Sequence, residues 1–437
     1  MTATVELLQA LIRNACVNDG TPESGHERRN ADVIAAFLGD AGLDLERYDA
    51  APGRTSLVAR IEGTDRSAPS LCLMGHTDVV PVNEAGWTRD PFGGELVDGE
   101  VWGRGAVDML NLTSSMAVAF KELATSGFRP RGDLVYVAVA DEESGSAYGA
   151  RWLAERAADA VRCDYVLTEN GGIHAGGAIT VNVGEKGVAW RKVRVRGTPG
   201  HGSTPFRSDN ALVKAAAVVQ RLAEYRPAPR FHELWRERVS LLPVDDDTKR
   251  ALLDPTRVDD VLNAWPRTAG VANLHANCHT TFSCNGIAGA TKTNVIPDLI
   301  ELQVDIRTLP GEGSADVEEH LRNALGDELA ADVEVEVMLD DPSTMSPVNT
   351  PLWDALQRAV HRPFPDMRLT PQFVVGFTDA RVWRELGAVA YGAGLLSPSL
   401  DGGEFGKRFH GNDERIDVES LDLTTQLWLD VARDLLG

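Results

Sequence analysis

Three short apolar runs constrain the fold of this chain most strongly. They cover residues 71–74, 134–140 and 165–168, and each has the length of a β-strand. Continuous apolar runs of this length are typical of strands buried on both faces of a parallel sheet. A helical pattern at 150–157 separates the second run from the third. This alternation of strands and helices predicts a doubly wound α/β sheet.

Each apolar run is followed directly by histidine or acid. The side chains concerned are His76 and Asp78 after the first run, Asp141, Glu142 and Glu143 after the second, and Glu169 after the third. In doubly wound sheets, sites form beyond the carboxyl ends of the strands. The coincidence predicts one shared site at that edge of the sheet.

Two further residues extend this set: Asp108, where a glycine-rich loop turns into a helix, and His410, in a loop before the last helix. Imidazoles and carboxylates without cysteine suit zinc or a similar divalent ion. Glu142 and Glu143, packed unpaired into one cleft, would repel, and one would take up a proton. A metal ion removes that penalty for one of them and leaves the other as a general base. From the residues alone, a structural role for His76 and a solvated acidic turn remain alternatives.

Composition excludes several classes of protein. The formal charge is -22, which disfavours binding to nucleic acid. The five cysteines form no C-x-x-C pair, which argues against a disulfide framework and a thiolate zinc site. The chain shows no signal peptide, no apolar run near the ~20 residues that span a bilayer, and no G-x-S-x-G motif of a serine hydrolase. We therefore expect a cytoplasmic protein with neither nucleic acid nor a membrane as partner.

A different pattern occupies the middle of the chain. Apolar and polar residues alternate at 193–196, 280–284, 300–307 and 333–337, with helical patterns at 209–221 and 317–325. This order predicts a two-layer α/β unit with one antiparallel sheet. We place it at 187–341, inserted into a domain formed by 1–186 and 342–437. The stretch 225–276 is predicted only as partly helical.

Three segments carry a family resemblance. Residues 76–81 (HTDVVP), 103–109 (GRGAVDM) and 141–143 (DEE) resemble the signature of the dinuclear-zinc aminoacylase/peptidase family. That family includes aminoacylase, acetylornithine deacetylase, succinyl-diaminopimelate desuccinylase and glutamate carboxypeptidase. The resemblance implies a mixed-sheet catalytic domain with a phosphorylase/hydrolase-like core, and a ferredoxin-like inserted domain that serves as lid or dimerisation domain.

The resemblance also implies a metal centre with two zinc ions, for which cobalt or manganese could substitute. Asp108 would bridge the two ions. His76 and Glu169 would complete the shell of one ion, and Glu143 and His410 that of the other.

Catalytic roles follow from the same resemblance. Asp78 would orient His76, and Glu142 would take a proton from the water between the metals and deliver it to the leaving amine. Residues 198–205 match a segment whose histidine, here His201, supports the oxyanion and comes from the partner subunit in dimeric members. Without the family, His201 would be an ordinary loop histidine.

Substrate-binding residues are implied in three other segments. Residues 293–297 and 305–307 match segments that bind a substrate carboxylate, which makes Asn294 and Arg307 candidates. For Arg307, a surface charge on an alternating strand is the alternative. Residues 376–381 resemble a loop near the substrate and add Thr378 and Arg381.

The predicted function is zinc-dependent hydrolysis of an amide bond in an N-acyl amino acid or a small peptide with a free carboxylate. Glutamate at position 169 leans toward deacylases in this family. The alternatives are a dipeptidase or carboxypeptidase of the same family and a non-catalytic relative that only binds substrate. We expect a homodimer formed through the inserted domain.

Overall fold

The computed structural model describes residues 2–290 and 292–437. The chain forms two compact units. The first runs to Val183 and resumes at Met345–Gln372 and Thr378–Gly437, and the second comprises Gly184–Thr344 and Phe373–Phe377. The predicted insertion, 187–341, lies within the second unit. The sequence did not indicate that 373–377 belongs there too.

Fifteen helices are present in the described ranges. They are α1 (Ala3–Arg13), α2 (Arg28–Gly39), α3 (Leu110–Thr125), α4 (Ala150–Arg156), α5 (Ala158–Val161), α6 (Ala211–Glu224), α7 (Glu233–Leu241), α8 (Asp246–Leu252), α9 (Val258–Ala264), α10 (Ala269–Cys278), α11 (Ser314–Ala330), α12 (Pro351–His361), α13 (Ala380–Glu385), α14 (Gly402–Arg408) and α15 (Val418–Leu436).

The strands of the same ranges include the three predicted from apolar runs. They are β1 (Leu45–Ala51), β2 (Arg54–Ile61), β3 (Leu71–His76), β4 (Glu95–Val97), β5 (Glu100–Trp102), β6 (Leu134–Val139), β7 (Tyr165–Thr168), β8 (Gly171–Ala175), β9 (Ala178–Glu185), β10 (Gly187–Arg196), β11 (Gly200–His201), β12 (Thr281–Gly289), β13 (Val295–Ile296), β14 (Leu299–Thr308), β15 (Val333–Asp341), β16 (Thr344–Met345), β17 (Arg368–Val374), β18 (Val389–Gly392) and β19 (Arg415–Asp417).

The large sheet is mixed, as the sequence predicts. Its order is β1-β2-β6-β3-β7-β18-β9-β16, with β8 and β17 also paired to β9. Strand β3 runs parallel to β6 and β7, and β18 runs parallel to β7, whereas β1, β2 and β6 pair antiparallel. The carboxyl ends of β3, β6 and β7 therefore lie at one edge of the sheet.

Helices cover both faces of this sheet. Alternate strand side chains, such as Met74 and Val137, share a buried cluster with Leu153 of α4 and Trp383 of α13. On the other face, the ring of Tyr136 lies 5.8 Å from that of Phe120 in α3. Successive strand residues point to opposite faces, so a continuous apolar run is what a strand covered on both sides requires.

The second unit contains the predicted antiparallel sheet. Its order is β12-β14-β10-β15, with every neighbouring pair antiparallel. Inward-facing residues of β10 and β14 pack with one face of α6 and α11. The stretch predicted as partly helical forms α7–α10, which enclose a small apolar core around Trp235. Its indole Nε1 donates to the backbone oxygen of Leu252 at 3.2 Å.

In the described part of the chain, no helix is both long enough and apolar enough to cross a bilayer.

Candidate metal centre

The ends of three neighbouring strands bring the predicted ligands together in the first unit. His76 is the last residue of β3, Glu142 and Glu143 form a short 3-10 turn just after β6, and Glu169 follows β7. His76, Glu142 and Glu169 are each at most 6% exposed. The parallel register of the three strands places these side chains at the same edge.

Gly75 allows α3 to approach the end of β3. A Cβ at this position would lie 2.4 Å from Thr113 Oγ1, closer than atoms can approach. With glycine there, the Thr113 hydroxyl donates to the backbone oxygen of His76 at 2.7 Å. The contact fixes the backbone that carries the His76 imidazole.

Asp108 lies between the two histidines. Its Oδ1 is 3.2 Å from His76 Nε2, and its Oδ2 is 3.3 Å from His410 Nε2. His410 Nε2 is also 3.3 Å from Glu143 Oε2. One carboxylate that faces a different imidazole with each oxygen has the arrangement of a bridging ligand.

The donor atoms form two overlapping groups that share His76. One consists of His76, Glu142 and Glu169, and the other of His76, Asp108 and Glu143. In each group, the possible ligand atoms lie within 4.8 Å of one another. Glu143 Oε1 is buried and finds no hydrogen-bond partner among the described residues. A buried, unsatisfied carboxylate oxygen in such a group fits a metal ligand.

The pKa values of the buried glutamates also fit a metal centre. Burial, reinforced by the charge of Glu143, raises the pKa of Glu142 well above its usual value. Burial and the charge of Asp108 raise the pKa of Glu169 and of Glu143 as well. The four carboxylates of Asp108, Glu142, Glu143 and Glu169 thus outnumber the two imidazoles of His76 and His410. Divalent cations would relieve that excess.

The pKa of His410 is raised by the same carboxylates. Hydrogen bonds to Asp108 and Glu143 raise its pKa to about 10. Hydrogen bonds from His410 and His76 hold the pKa of Asp108 far below its usual range, although burial opposes this. The carboxylates of Asp108 and Glu143 therefore favour a positive charge beside them.

Asp78 contacts His76 mainly through its backbone. His76 Nδ1 donates to the backbone oxygen of Asp78 at 3.0 Å, and the Asp78 carboxylate is 3.6 Å from Nδ1. This carboxylate instead accepts from the backbone N–H groups of Glu142 (3.2 Å) and Glu143 (3.1 Å). Asp78 thus orients His76 through its backbone and the two glutamates through its side chain.

Residues that sequence reasoning missed hold Asp78 and the acidic turn in place. Asn18 Nδ2 donates to Asp78 Oδ2 at 2.9 Å and to Asp141 Oδ1 at 3.0 Å. Arg54, which is 1% exposed, pairs with Asp141 and with the buried Glu27. Asp141 adopts a left-handed backbone conformation (φ 66°). The contacts of Asp141 with Arg54 and Asn18 hold the end of β6, directly before Glu142 and Glu143.

A second buried ion pair, also missed, supports Asp108. Glu414 Oε1 accepts from the backbone N–H of Val107 (2.6 Å) and of Asp108 (3.0 Å). Its Oε2 pairs with Arg104 at 2.6 Å, and Arg104 also donates to the backbone oxygen of His410 at 3.3 Å. Arg104 lies within the segment 103–109 singled out in the sequence, but nothing in that segment indicated that it meets Glu414.

Thr378 and Arg381, predicted near the substrate, are both buried. Arg381 Nη1 donates to the backbone oxygen of Thr378 at 2.7 Å, and its Nη2 contacts Ser146 Oγ at 3.2 Å. Ser146 directly follows the turn of Glu142 and Glu143 and hydrogen-bonds to Asp379. These contacts make residues 378–381 a support for the acidic turn.

The second unit contains His201, Asn294 and Arg307. His201 is exposed on β11, which pairs with β13 so that His201 faces Val295. The backbone N–H of Ser203 donates to His201 Nδ1 at 3.2 Å. Because Nδ1 accepts there, the proton of the neutral ring resides on Nε2, which is then a donor. Asn294 is exposed beside it, and its backbone oxygen accepts from Gly202 at 2.9 Å.

Arg307 is largely engaged within its own unit. Its Nε and Nη2 donate to the two carboxylate oxygens of Asp305, at 2.7 and 3.2 Å. The guanidinium lies 5.1 Å above the ring of Phe377. Nη1 is buried and has no hydrogen-bond partner in the part of the chain that is described. One edge of the guanidinium therefore remains for a ligand, rather than the whole fork.

Comparison with known proteins identifies the family. Residues 72–434 match the sequence pattern of Peptidase family M20/M25/M40. The chain belongs to Peptidase family M20/M25/M40. It is a hydrolase of the metallopeptidase and aminoacylase type, which confirms the predicted family and enzyme class.

Individual members of the M20/M25/M40 family align over most of their length. Succinyl-diaminopimelate desuccinylase of Cereibacter sphaeroides is 28% identical over 435 residues, which cover 98% of this chain and 98% of that protein. Aminoacylase-1 of Pongo abelii is 26% identical, with 88% and 86% covered. The solved metallo-carboxypeptidase Sso-CP2 of Sulfolobus solfataricus has a TM-score of 0.76 at 16% identity and covers 100% of this chain and 99% of its own. This structural similarity confirms the fold.

Proposed function

We propose that this M20/M25/M40 hydrolase cleaves the amide bond of an N-acyl amino acid or small peptide with a free carboxylate, using two zinc ions and Glu142 as the general base. The observation that carries the proposal is the position of Asp108, whose two oxygens face His76 and His410 separately at 3.2 and 3.3 Å. Glu142 and Glu143 lie beside this bridge on one short turn.

His76 and Glu169 would hold one zinc ion, Glu143 and His410 the other, and Asp108 both. Cobalt or manganese would be workable substitutes, since imidazole and carboxylate suit these ions as well. When bound, two such ions lower the pKa of a water and stabilise the negative charge that develops on the carbonyl oxygen. The excess of buried carboxylates supports this arrangement.

Glu142 is the proposed proton carrier. It is 6% exposed, and its backbone is held by Asp78. Burial raises its pKa, and a general base works best when its pKa lies near the operating pH. Glu142 would take a proton from the attacking water and return it to the nitrogen of the leaving amine.

Substrate recognition is proposed for residues of the second unit. His201 would donate from Nε2 to the developing oxyanion, because its Nδ1 already accepts from Ser203. Arg307 Nη1 and Asn294 would bind the substrate carboxylate. Thr378 has no exposed surface, and we assign it to the support of the Glu142 turn.

The names of the aligned proteins support an acylated amino acid as substrate. One is a desuccinylase and another an aminoacylase, and both reactions release an amino acid from an acyl group. Glutamate at position 169 favours the same reading. A small peptide is the second candidate, cleaved by a dipeptidase or carboxypeptidase, because residues 72–434 match a family that is named for peptidases. We further propose a cytoplasmic homodimer formed through the second unit.

A hydrolysis screen tests the proposal. N-acetyl, N-succinyl and long-chain N-acyl amino acids are compared with dipeptides, in protein stripped by chelator and reloaded with zinc or cobalt. We expect hydrolysis of at least one acyl-amino acid, lost on stripping and restored on reloading. Asp108→Asn should bind less zinc and lose activity, while Asp98→Asn, an exposed acid, should behave as wild type.

Two results would overturn the proposal. One is protein that binds no zinc, cobalt or manganese and hydrolyses none of these compounds. The other is substrate binding without turnover in metal-replete protein, which would indicate a non-catalytic relative.

A further inference from the structure

A second group of metal-ligand residues lies in the helical part of the second unit. Asp259 is in α9, His275 is in α10, and His279 follows the end of α10. Their possible ligand atoms lie within 4.8 Å of one another. The spacing of His275 and His279, four residues apart, places both rings on one side of the helix end. Their centroids are 4.1 Å apart, and their planes are nearly parallel at 7°.

The contacts of His279 define which nitrogen is available. The side chain is 1% exposed, and Nδ1 lies 3.1 Å from the backbone oxygen of His275. A carbonyl oxygen can only accept, so Nδ1 carries the proton and Nε2 of the neutral ring presents a lone pair. A metal-bound histidine is commonly held in this way, with its other nitrogen donating to a backbone carbonyl.

Nε2 of His279 points at another acceptor. Asp259 Oδ1 is 3.2 Å away, and both atoms are buried without a hydrogen-bond partner among the residues described. Two lone pairs that face each other in a buried position repel unless a cation lies between them. A cation held between these two atoms would remove that repulsion.

The nearby basic side chains are directed elsewhere. Lys186 donates to the backbone oxygens of Ala276 (2.9 Å) and His279 (2.5 Å). Arg226 donates to the backbone oxygens of Ala223 and Tyr225. Both act on the two rings only through their charge, and none of these bonds reaches Asp259.

We propose that Asp259, His275 and His279 bind a zinc ion distinct from the metal centre of the first unit. Two imidazoles and one carboxylate are a common zinc donor set, with water as the fourth ligand. The Asp259 side chain is 44% exposed, which gives such a water access from solvent. The parallel rings imply that His275, which is partly exposed, tilts to direct a nitrogen at the ion. Bound zinc would tie α9 to the end of α10.

Cys278 is not part of this site. Its Sγ lies 3.3 Å from His279 Nδ1, on the opposite side of the ring from Nε2. Its thiol donates to the backbone oxygens of Leu274 at 3.7 Å and of His275 at 3.5 Å, away from Nε2. The absence of a thiolate zinc site, expected from the cysteine spacing, is compatible with a site built from histidine and aspartate.

The test counts zinc in the full chain after loading with zinc and removal of the excess. We expect His279→Gln and Asp259→Asn each to bind one zinc ion fewer per chain than wild type. His361→Gln, which alters an exposed histidine of the first unit, should bind as many as wild type. Asp259→Asn is nearly isosteric and partly exposed, so it provides the comparison if His279→Gln fails to fold.

Crystals of the zinc-loaded protein supply the direct observation. An anomalous difference peak at the zinc edge is expected about 2.0–2.1 Å from His279 Nε2. Equal zinc counts in all four proteins, with no peak at His279, would overturn the proposal. In that case a protonated His279 paired with Asp259 would account for the short distance. Because the test compares variants outside the first metal centre, it holds whether or not that centre is catalytic.

Discussion

The metal centre of the first unit and the site of Asp259, His275 and His279 in the second unit are built in different ways. They are called the first and the second group below. In the first unit, the ligands come from the ends of separate strands and from loops as far apart as His76 and His410 in the chain. In the second unit, Asp259 and His275 lie in the successive helices α9 and α10, and His279 follows the end of α10. The first group contains four acids around two imidazoles, whereas the second contains one acid and two imidazoles.

The difference teaches how each group depends on its surroundings. The first is held by buried side-chain networks, through Asn18 and Asp78 on one side and Glu414 on the other. The second is held by a backbone oxygen, that of His275. Side-chain supports can be removed by substitution, whereas a backbone support cannot. The first group is thus the more sensitive of the two to changes outside its own ligands.

The largest effect is expected at the proposed base. Glu142→Gln should lower kcat by roughly 10²–10⁴-fold, the usual contribution of a general base, and leave the zinc content of both groups unchanged. Steady-state kinetics with the substrate from the screen and zinc analysis measure the two quantities. Glu84→Gln, at an exposed site, is the matched control. A near-normal rate for Glu142→Gln would show that another group carries the proton.

A smaller effect is expected from the support of the first group. Asn18→Ala removes the hydrogen bonds to Asp78 and Asp141, and loss of such a partner typically costs about 10–100-fold in metal affinity. Competition with a chelator should show this weakening for the first group, and the zinc bound at His279 should be retained as before. Exposed Asn83→Ala serves as control. Equal weakening of both groups would contradict the distinction between them.

The smallest effect is a difference in pH dependence. His410 has its pKa raised to about 10, so below that pH a proton competes with the metal. Zinc affinity of the first group should therefore rise with pH, by about tenfold per unit for each proton displaced. Chelator competition at pH 6, 7 and 8 measures this dependence.

The zinc affinity of the second group should depend less on pH between pH 6 and 8. Burial and the neighbouring His279 lower the pKa of His275 to about 4, and burial also lowers that of His279. The charged groups that act on these rings are Asp259, Lys186 and Arg226. Because both shifts favour the neutral imidazoles, fewer protons have to leave them when zinc binds. A slope as steep as that of the first group would show that one of them is protonated there.

Much of the fold could be predicted because the strongest signals are local. A continuous apolar run such as that of β6 is stable only when both of its faces are covered, which requires helices on either side. The edge strand β1 was missed because it carries no such run: its sequence, LERYDAA, mixes exposed polar residues with small ones. Helices α7–α10 were predicted only as one partly helical stretch. Each of them is short, and together they enclose a small core of their own.

The candidate ligands could be named from the chain because each follows a recognisable strand or loop. The side chains that hold these ligands in place could not be named from the chain. Glu414 meets Val107 across 307 residues, and Arg54 meets Asp141 across 87. Likewise, the spacing of His275 and His279 is visible in the sequence, but their approach to Asp259 depends on how α9 packs against α10.

By itself, the sequence determined the strand ends on which His76, Glu142, Glu143 and Glu169 are carried, because hydrophobic burial acts on every apolar run wherever it occurs. The tertiary structure alone decided which charged groups are paired in the interior. A buried charge must find a partner, and that partner is set by the packing of distant segments rather than by neighbours in the chain. Among the buried atoms without a hydrogen-bond partner in the described residues, Glu143 Oε1 and His279 Nε2 mark the two places where we expect a metal ion.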